Sequence, residues 1–102
     1  MSDFEIIAIA NLEITDPDAY RKYEKGFFPI LKKYNGSFIT YDDAPQHKEG
    51  DTPLKGRVIL FSFQTEEDAN NWFNDPDYQE LSKFRRDGTN THSITFTKML
   101  KR

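Results

Sequence analysis

The order of apolar and polar residues along the chain predicts four strands and two helical regions. Nearly continuous apolar runs of strand length cover residues 5–12 and 57–63, and a shorter one covers residues 37–41. Residues 92–100 alternate between apolar and polar positions, as a half-buried strand does. In the two intervening regions the apolar residues recur every three or four positions, which is the period of an amphipathic helix.

Each helical region begins with a recognisable cap. Asp16-Pro17 and Asp75-Pro76 both place a capping carboxylate before a proline in the first turn, where the missing N–H needs no partner. Thr65 begins a sequence that resembles a capping box, so we expect the second helical region to start there and to restart after Asp75.

The first helix carries two further signals. Asn35-Gly36 predicts a left-handed stop at its end. Pro29 lies inside the helical pattern, and we therefore expect a kink or the start of a new turn near Phe28.

These elements follow one another as β-α-β, a long polar connection over residues 42–56, and a second β-α-β. Two right-handed units of this kind interleave as a four-stranded antiparallel sheet with both helices on one face. The sequence therefore predicts a single α+β domain over residues 1–102, with the ferredoxin-like βαββαβ arrangement. We expect four large aromatic side chains to be buried between helices and sheet: Tyr20, Tyr23, Phe27 and Trp72.

The first and third strands are apolar on both faces, although two helices cover only one face of such a sheet. In the first strand Ile7 and Ile9 lie opposite the remaining apolar residues, and in the third strand Val58 and Leu60 do. Strands buried on both faces have such continuous apolar runs. We therefore predict a homodimer that is held together by the sheet face opposite the helices.

Composition and charge exclude several classes of function. A formal charge of −3 and the absence of a basic stripe disfavour nucleic acid as a partner. The chain has no cysteine, which fits a reducing cytoplasm and excludes disulfides and thiolate metal sites. The sequence shows no secretory signal, and its longest apolar run is too short for a membrane-spanning helix. We expect a small cytoplasmic protein.

Motifs for metal, cofactor or nucleophile chemistry are missing. His47 and His92 are the two histidines, and neither has the spacing to carboxylates that a metal site uses. Neither is placed as a proximal haem ligand. No glycine-rich phosphate loop or G-x-S-x-G elbow occurs, so we expect no metal and no cofactor.

One group of residues offers chemistry of another kind. The predicted fold brings Glu49, Arg57, Tyr78 and Arg85 towards one opening between sheet and helices. A carboxylate, two guanidinium groups and a phenol are able to bind a small organic acid and to move a proton. The alternative, which we favour, is structural: Glu49 forms an ion pair with Arg57 or Arg85 near Tyr78 and anchors the long loop.

The chain also resembles a known family over nearly its whole length. The matching features are Asp16, Tyr20, Tyr23, Gly36, Glu49-Gly50-Asp51, the strand 57–63, Ala69, Trp72, Pro76-Asp77-Tyr78 and Arg85. They resemble the DUF1330 family, in the dimeric α+β barrel superfamily. The resemblance implies a homodimer whose two sheets face each other, but it implies no particular reaction.

Two hypotheses about function remain open at this point. The first is an uncharacterised homodimeric protein that binds a small anionic or aromatic ligand, such as an organic acid. The second is a cofactor-free monooxygenase or isomerase that acts on a small aromatic or carbonyl compound. An enclosed pocket near Arg57 with unpaired polar groups would favour the second hypothesis. A space sealed by paired side chains would favour the first hypothesis. The sequence leaves open whether the protein is an enzyme.

Overall fold

A computed structural model describes residues 4–100 and contains the predicted order of elements. The elements are β1 (Ile6–Ile14), α1 (Pro17–Lys33), β2 (Gly36–Asp42), β3 (Arg57–Phe63), α2 (Glu66–Asn74), α3 (Pro76–Gly88) and β4 (Thr89–Lys98). The restart of the second helical region is confirmed, since α2 ends directly before Asp75 and α3 begins after it.

The four strands form one antiparallel sheet in the order β2-β3-β1-β4. This order places the two most apolar strands, β1 and β3, at the centre, and the helices pack on one face. The predicted ferredoxin-like α+β fold is confirmed. None of the helices between residues 4 and 100 is long and apolar enough to cross a membrane.

The predicted caps are all present. The side chains of Asp16, Thr65 and Asp75 accept hydrogen bonds from backbone N–H groups two or three residues further on, at 2.7 to 3.4 Å. These bonds satisfy N–H groups that have no partner inside a helix, and so they determine where each helix begins.

Helix α1 continues through Pro29 to Lys33, so no new turn starts there, and a kink at the proline stays a prediction. One expectation about strand boundaries is wrong. Strand β4 begins at Thr89, three residues before the predicted start, because this polar segment still pairs with β1 as far as Ile14. The predicted left-handed stop is made by Asn35, at φ 59°.

The connection from α3 to β4 is tight and requires a glycine. The Gly88 carbonyl accepts hydrogen bonds from the N–H groups of Thr15 and Asp16 at 2.8 and 3.0 Å. A Cβ atom at Gly88 would lie only 2.8 Å from the backbone nitrogen of Tyr20. This contact joins the end of α3 to the start of α1.

The aromatic residues predicted to be buried are buried. Tyr20, Tyr23, Phe27 and Trp72 are between 0 and 7 % exposed, and they pack between helices and sheet. The core is therefore mainly aromatic on the helix side and aliphatic on the sheet side.

The opposite face of the sheet carries an apolar patch that no helix covers. Ile7, Ile9, Val58 and Leu60 lie next to each other on β1 and β3 and are half-buried. The edge strand β4 places serine and threonine beside them. We call these four residues the open-face patch.

Candidate functional site

A cavity lies between the sheet and the helices, and an alanine on the central strand creates it. Ala10 pairs with Ile59 on one side and with Ile94 on the other, so a methyl group stands between two branched side chains. All three residues line the cavity. Counted with its open mouth, the cavity has an empty volume of about 680 Å³.

Five aromatic rings that pack against one another form one wall of this space. Their centroids follow one another at 4.1 to 6.2 Å in a closed circuit: Tyr23, Phe27, Phe61, Trp72 and Tyr78. Phe28, Phe38 and Tyr41 also line the cavity but are 40 to 50 % exposed, which places them towards its mouth. The walls are therefore suited to a flat apolar molecule.

Arg85 is a buried cation that has no acidic partner among residues 4–100. Its side chain lines the cavity, and the residue is only 5 % exposed. One terminal nitrogen donates a hydrogen bond to Thr91 Oγ1 at 3.0 Å, and Nε has no hydrogen-bond partner. No described carboxylate lies within 4.0 Å of the guanidinium group.

Trp72 carries a second unpaired donor, and this residue also lines the cavity. The residue is fully buried, its indole Nε1 has no hydrogen-bond partner, and its ring stands 4.1 Å from that of Tyr78. Buried donors are normally paired, because each unpaired one costs about 1–3 kcal/mol. Two residues that line one cavity thus each carry a donor that an acceptor within reach would stabilise.

Tyr23 and Tyr78 add a pair of hydroxyl groups to the cavity wall. Their oxygens lie 2.9 Å apart, and both side chains are buried. Burial raises the pKa of both phenols, that of Tyr23 well above its usual range. At Tyr78 the hydrogen bond from Tyr23 and the charge of Arg85 oppose this rise in pKa. Both phenols are therefore protonated at neutral pH.

Arg57 lies at the mouth and is fully engaged in ion pairs. Its Nε and one terminal nitrogen donate to the two carboxylate oxygens of Asp43 at 2.6 and 3.1 Å, and its other terminal nitrogen lies 3.5 Å from Glu24. The guanidinium group stacks over the ring of Tyr41 at 4.1 Å. Hydrogen bonding to Arg57 lowers the pKa of Asp43, and hydrogen bonding to Asp43 raises the pKa of Arg57.

A neighbouring phenol at this mouth is also perturbed. Burial and, to a smaller extent, the charge of Glu24 raise the pKa of Tyr20 to about 12. Tyr20 is thus a neutral part of the wall at physiological pH.

The structure brings together three of the four residues predicted as a site. Arg57, Tyr78 and Arg85 line the cavity, but Glu49 is not among its lining residues. The expected ion pair of Glu49 with Arg57 or Arg85 is wrong, because Arg57 pairs with Asp43 and Glu24 instead.

The loop that Glu49 was expected to anchor is held at its two ends. Asp43 anchors its start through the ion pair with Arg57. At its other end, the Asn11 side-chain amide donates to the carbonyl oxygens of Lys55 and Arg57 at 2.9 and 3.1 Å. Asn11 lies in an apolar strand, and such a buried amide is the signal that would have identified this anchor from the sequence.

Both histidines have ordinary partners. His47 hydrogen-bonds with the Gly50 carbonyl at 2.7 Å, and His92 with the Glu13 carboxylate at 2.7 Å. Across residues 4–100, no three histidine, aspartate or glutamate side chains come together in a group that could hold a metal ion.

Comparison with solved structures identifies similar folds. A protein of unknown function from Rhodopseudomonas palustris, RPA0582, aligns over 99 % of this chain and 86 % of its own with a TM-score of 0.73 and 18 % identity. SnoaB from Streptomyces nogalater, a cofactor-independent oxygenase, aligns over 97 % of this chain and 96 % of its own with a TM-score of 0.64 and 5 % identity. A NIPSNAP family protein of unknown function from Agrobacterium tumefaciens aligns over 97 % and 89 %, with a TM-score of 0.58 and 13 % identity.

These identities are low, so the solved structures support the fold alone. No curated protein sequence matches the chain. The family model for the domain of unknown function DUF1330 matches residues 6–99, which is nearly the whole sequence. The chain therefore belongs to the DUF1330 family and has the ferredoxin-like fold of the α+β barrel proteins.

Proposed function

We propose that the cavity binds a small organic acid, with the acidic group at Arg85 and an aromatic body between the rings of the wall. The observation that carries the proposal is the buried Arg85 guanidinium, which lies at a cavity and has no acidic partner among the described residues. An anionic ligand supplies the missing charge.

The free-energy argument rests on the cost of leaving these groups unpaired. A buried ion costs several kcal/mol unless an opposite charge or hydrogen bonds compensate it. Arg85 has one hydrogen bond, to Thr91, and an unpaired Nε. A carboxylate that accepts from Arg85 and from Trp72 Nε1 would satisfy both unpaired donors and the charge at once.

Size and wall chemistry support an aromatic body for the ligand. The cavity proper has a volume of about 130 Å³, which is close to the roughly 150 Å³ of an apolar cavity that takes up benzene. The circuit of five rings offers stacked and edge-to-face contacts to a planar molecule. Neither unpaired nitrogen is accessible to solvent, so binding includes rotamer adjustment of the kind that is common at binding sites.

Calorimetric titration at pH 7 tests the proposal with two matched pairs of probes: benzoate with benzamide, and 2-naphthoate with 2-naphthamide. Each amide has the shape of its acid but lacks the charge. We expect the acids to bind at least tenfold more tightly than the amides, since hydrogen bonds to charged groups exceed neutral ones by 1 kcal/mol or more. Equal affinities, or no binding of any probe, would contradict the proposal.

A substitution on the cavity floor provides a structural control. Ala10→Leu fills the space between Ile59 and Ile94, so it should abolish binding while the chain stays folded. Ile9→Val, which changes the opposite face of the sheet, should leave binding intact. If the Ala10→Leu variant is folded and binds 2-naphthoate normally, the ligand lies elsewhere.

A second candidate is a cofactor-free monooxygenase or isomerase that acts on a small aromatic or carbonyl compound. The unpaired donors on residues that line the cavity near Arg57 support it, and so does the similarity in fold to a cofactor-independent oxygenase. Such an oxygenase takes its electrons from the substrate: a phenol and O₂ give a quinone and water. Oxygen uptake with a naphthol and the pure protein tests this reaction, and a rate equal to that of the Ala10→Leu variant would exclude it.

We further propose that a second copy of the chain covers the open-face patch. Four neighbouring aliphatic side chains on a sheet face would be only half-buried in a monomer, and burying apolar surface is worth about 25 cal/mol per Å². An identical patch on a second copy is complementary by symmetry. The flanking serine and threonine residues would form the polar rim of such an interface.

A further inference from the structure

We infer that Tyr78 is a third hydrogen-bond donor to the acidic group of the ligand, and that Tyr23 positions it. This inference rests on the proposed function. It goes further in two ways. It states that the cavity recognises a group with acceptors only, such as a carboxylate or another oxyanion. It also assigns different roles to two adjacent phenols.

The first step is a count of hydroxyl protons. The two phenols share one hydrogen bond, at 2.9 Å, and neither hydroxyl proton has another acceptor among residues 4–100. Two O–H groups bring two protons, and one bond uses one of them. Whichever phenol donates within the pair, one proton is left without an acceptor beside the cavity.

The second step adds this proton to the other unpaired donors. Trp72 Nε1 and Arg85 Nε already lack acceptors, and both residues line the same cavity as the phenols. Three of the residues that line the cavity thus each carry one unpaired donor. An amide or an alcohol would bring further N–H or O–H groups to this donor-rich wall, whereas a carboxylate brings only acceptors.

The third step decides which phenol faces the ligand. Tyr78 and Arg85 both lie on the buried face of α3, and the centroid of the Tyr78 ring lies 4.1 Å from that of the Trp72 ring. Tyr23 approaches from α1, with its ring 6.2 Å from that of Tyr78. Beside the larger effect of burial, the hydrogen bond between them raises the pKa of Tyr23 and lowers that of Tyr78, as expected when Tyr23 is the donor. Tyr23 therefore donates to Tyr78 and Tyr78 donates to the acid, a chain in which each bond strengthens the next.

The test compares two variants that differ only in the Tyr78 oxygen. Tyr23→Phe keeps the proposed donor, and the double variant Tyr23→Phe/Tyr78→Phe removes it without leaving a buried hydroxyl unpaired. With 2-naphthoate, we expect the double variant to bind about ten- to a hundredfold more weakly than Tyr23→Phe, the range of a hydrogen bond to a charged group. With 2-naphthamide, the two variants should bind alike.

Each other outcome overturns the inference. If Tyr23→Phe alone loses as much affinity for the acid as the double variant, Tyr23 is the direct donor. If the double variant binds the acid as the wild type does, neither phenol contacts it. If the double variant loses affinity for the acid and for the amide to the same extent, the phenols act only through the shape of the cavity. Acid binding that survives in the double variant but fails in Arg85→Met would leave the proposed function standing while the inference falls.

Discussion

Replacing Arg85 by methionine is expected to leave the ligand-free protein as stable as before, or to stabilise it, while acid binding is lost. Methionine has a volume and shape similar to those of the arginine stem and carries no charge. The substitution removes a guanidinium group that is 5 % exposed and has no acidic partner among the described residues. It thereby removes a desolvation penalty of several kcal/mol.

The expected magnitude follows from the contacts that are lost. The hydrogen bond from the charged Arg85 side chain to Thr91 contributes about 1.5–3 kcal/mol, and Thr91 Oγ1 keeps its partner Thr89 Oγ1 at 2.8 Å. Replacing buried charges by apolar side chains of similar volume is often neutral or stabilising by about 1–4 kcal/mol. We therefore expect the free energy of unfolding to stay level or to rise by about 1–3 kcal/mol.

Urea unfolding at pH 7, followed by circular dichroism at one fixed protein concentration, measures this change. Arg86→Met is the matched control, because it makes the same substitution at the next residue of α3, where the arginine is exposed. That control should change neither stability nor binding. A loss of about 3–5 kcal/mol in Arg85→Met, the cost of breaking a buried pair, would show that Arg85 is a structural cation and would refute the reasoning.

Four further expectations follow from the packing and the charges. Trp72→Ala should cost about 3–5 kcal/mol in urea unfolding, because it removes a fully buried ring; a loss below about 1 kcal/mol would contradict its place in the core. Asp43→Asn should lower stability by about 1 kcal/mol or less, since its carboxylate is 60 % exposed, and Glu49→Gln should cause no measurable loss. A larger loss of stability in Glu49→Gln than in Asp43→Asn would restore Glu49 as the loop anchor. Hydrogen bonds from Tyr34 and, to a smaller extent, from Lys33 and the start of α3 lower the pKa of Asp75 to about 2. Its stabilising effect should thus be complete above about pH 4 and should disappear as the pH falls towards 2; a wild-type urea midpoint that falls no more than that of Asp75→Asn over this range would contradict the assignment. Ile9→Lys, in the open-face patch, should convert a dimer into a 12.0 kDa monomer in sedimentation, and a wild-type protein that already sediments at 12.0 kDa would end the dimer proposal.

The fold could be predicted from the sequence because its signals are local. Capping residues such as Asp16 and Thr65 and the apolar period act over a few positions, and each of these predictions is confirmed. The start of β4 was missed because Thr89 and its neighbours are polar, and their strand conformation comes from pairing with β1. Helix α1 likewise continues through Pro29, since tertiary packing outweighs a local preference.

The site could be predicted only in part, because it depends on contacts between distant residues. Arg57, Tyr78 and Arg85 were identified by their chemistry, but the sequence does not show which arginine has acidic partners. The cavity itself arises because Ala10 stands between two isoleucines, and this arrangement appears only once the strand register is known. Glu49 was chosen for its position beside β3, whereas the path of the loop brings Asp43 to the arginine.

The most direct test of the central claim is the resonance of the one indole N–H in the protein, because Trp72 is the sole tryptophan. In a ¹⁵N-labelled sample, saturation with 2-naphthoate should move this resonance downfield as Nε1 gains an acceptor. Saturation with 2-naphthamide under the same conditions should move it less, and the Arg85→Met variant should show no shift with 2-naphthoate. An indole resonance that stays in place with 2-naphthoate, or that moves equally with acid and amide, would contradict an acid-binding cavity.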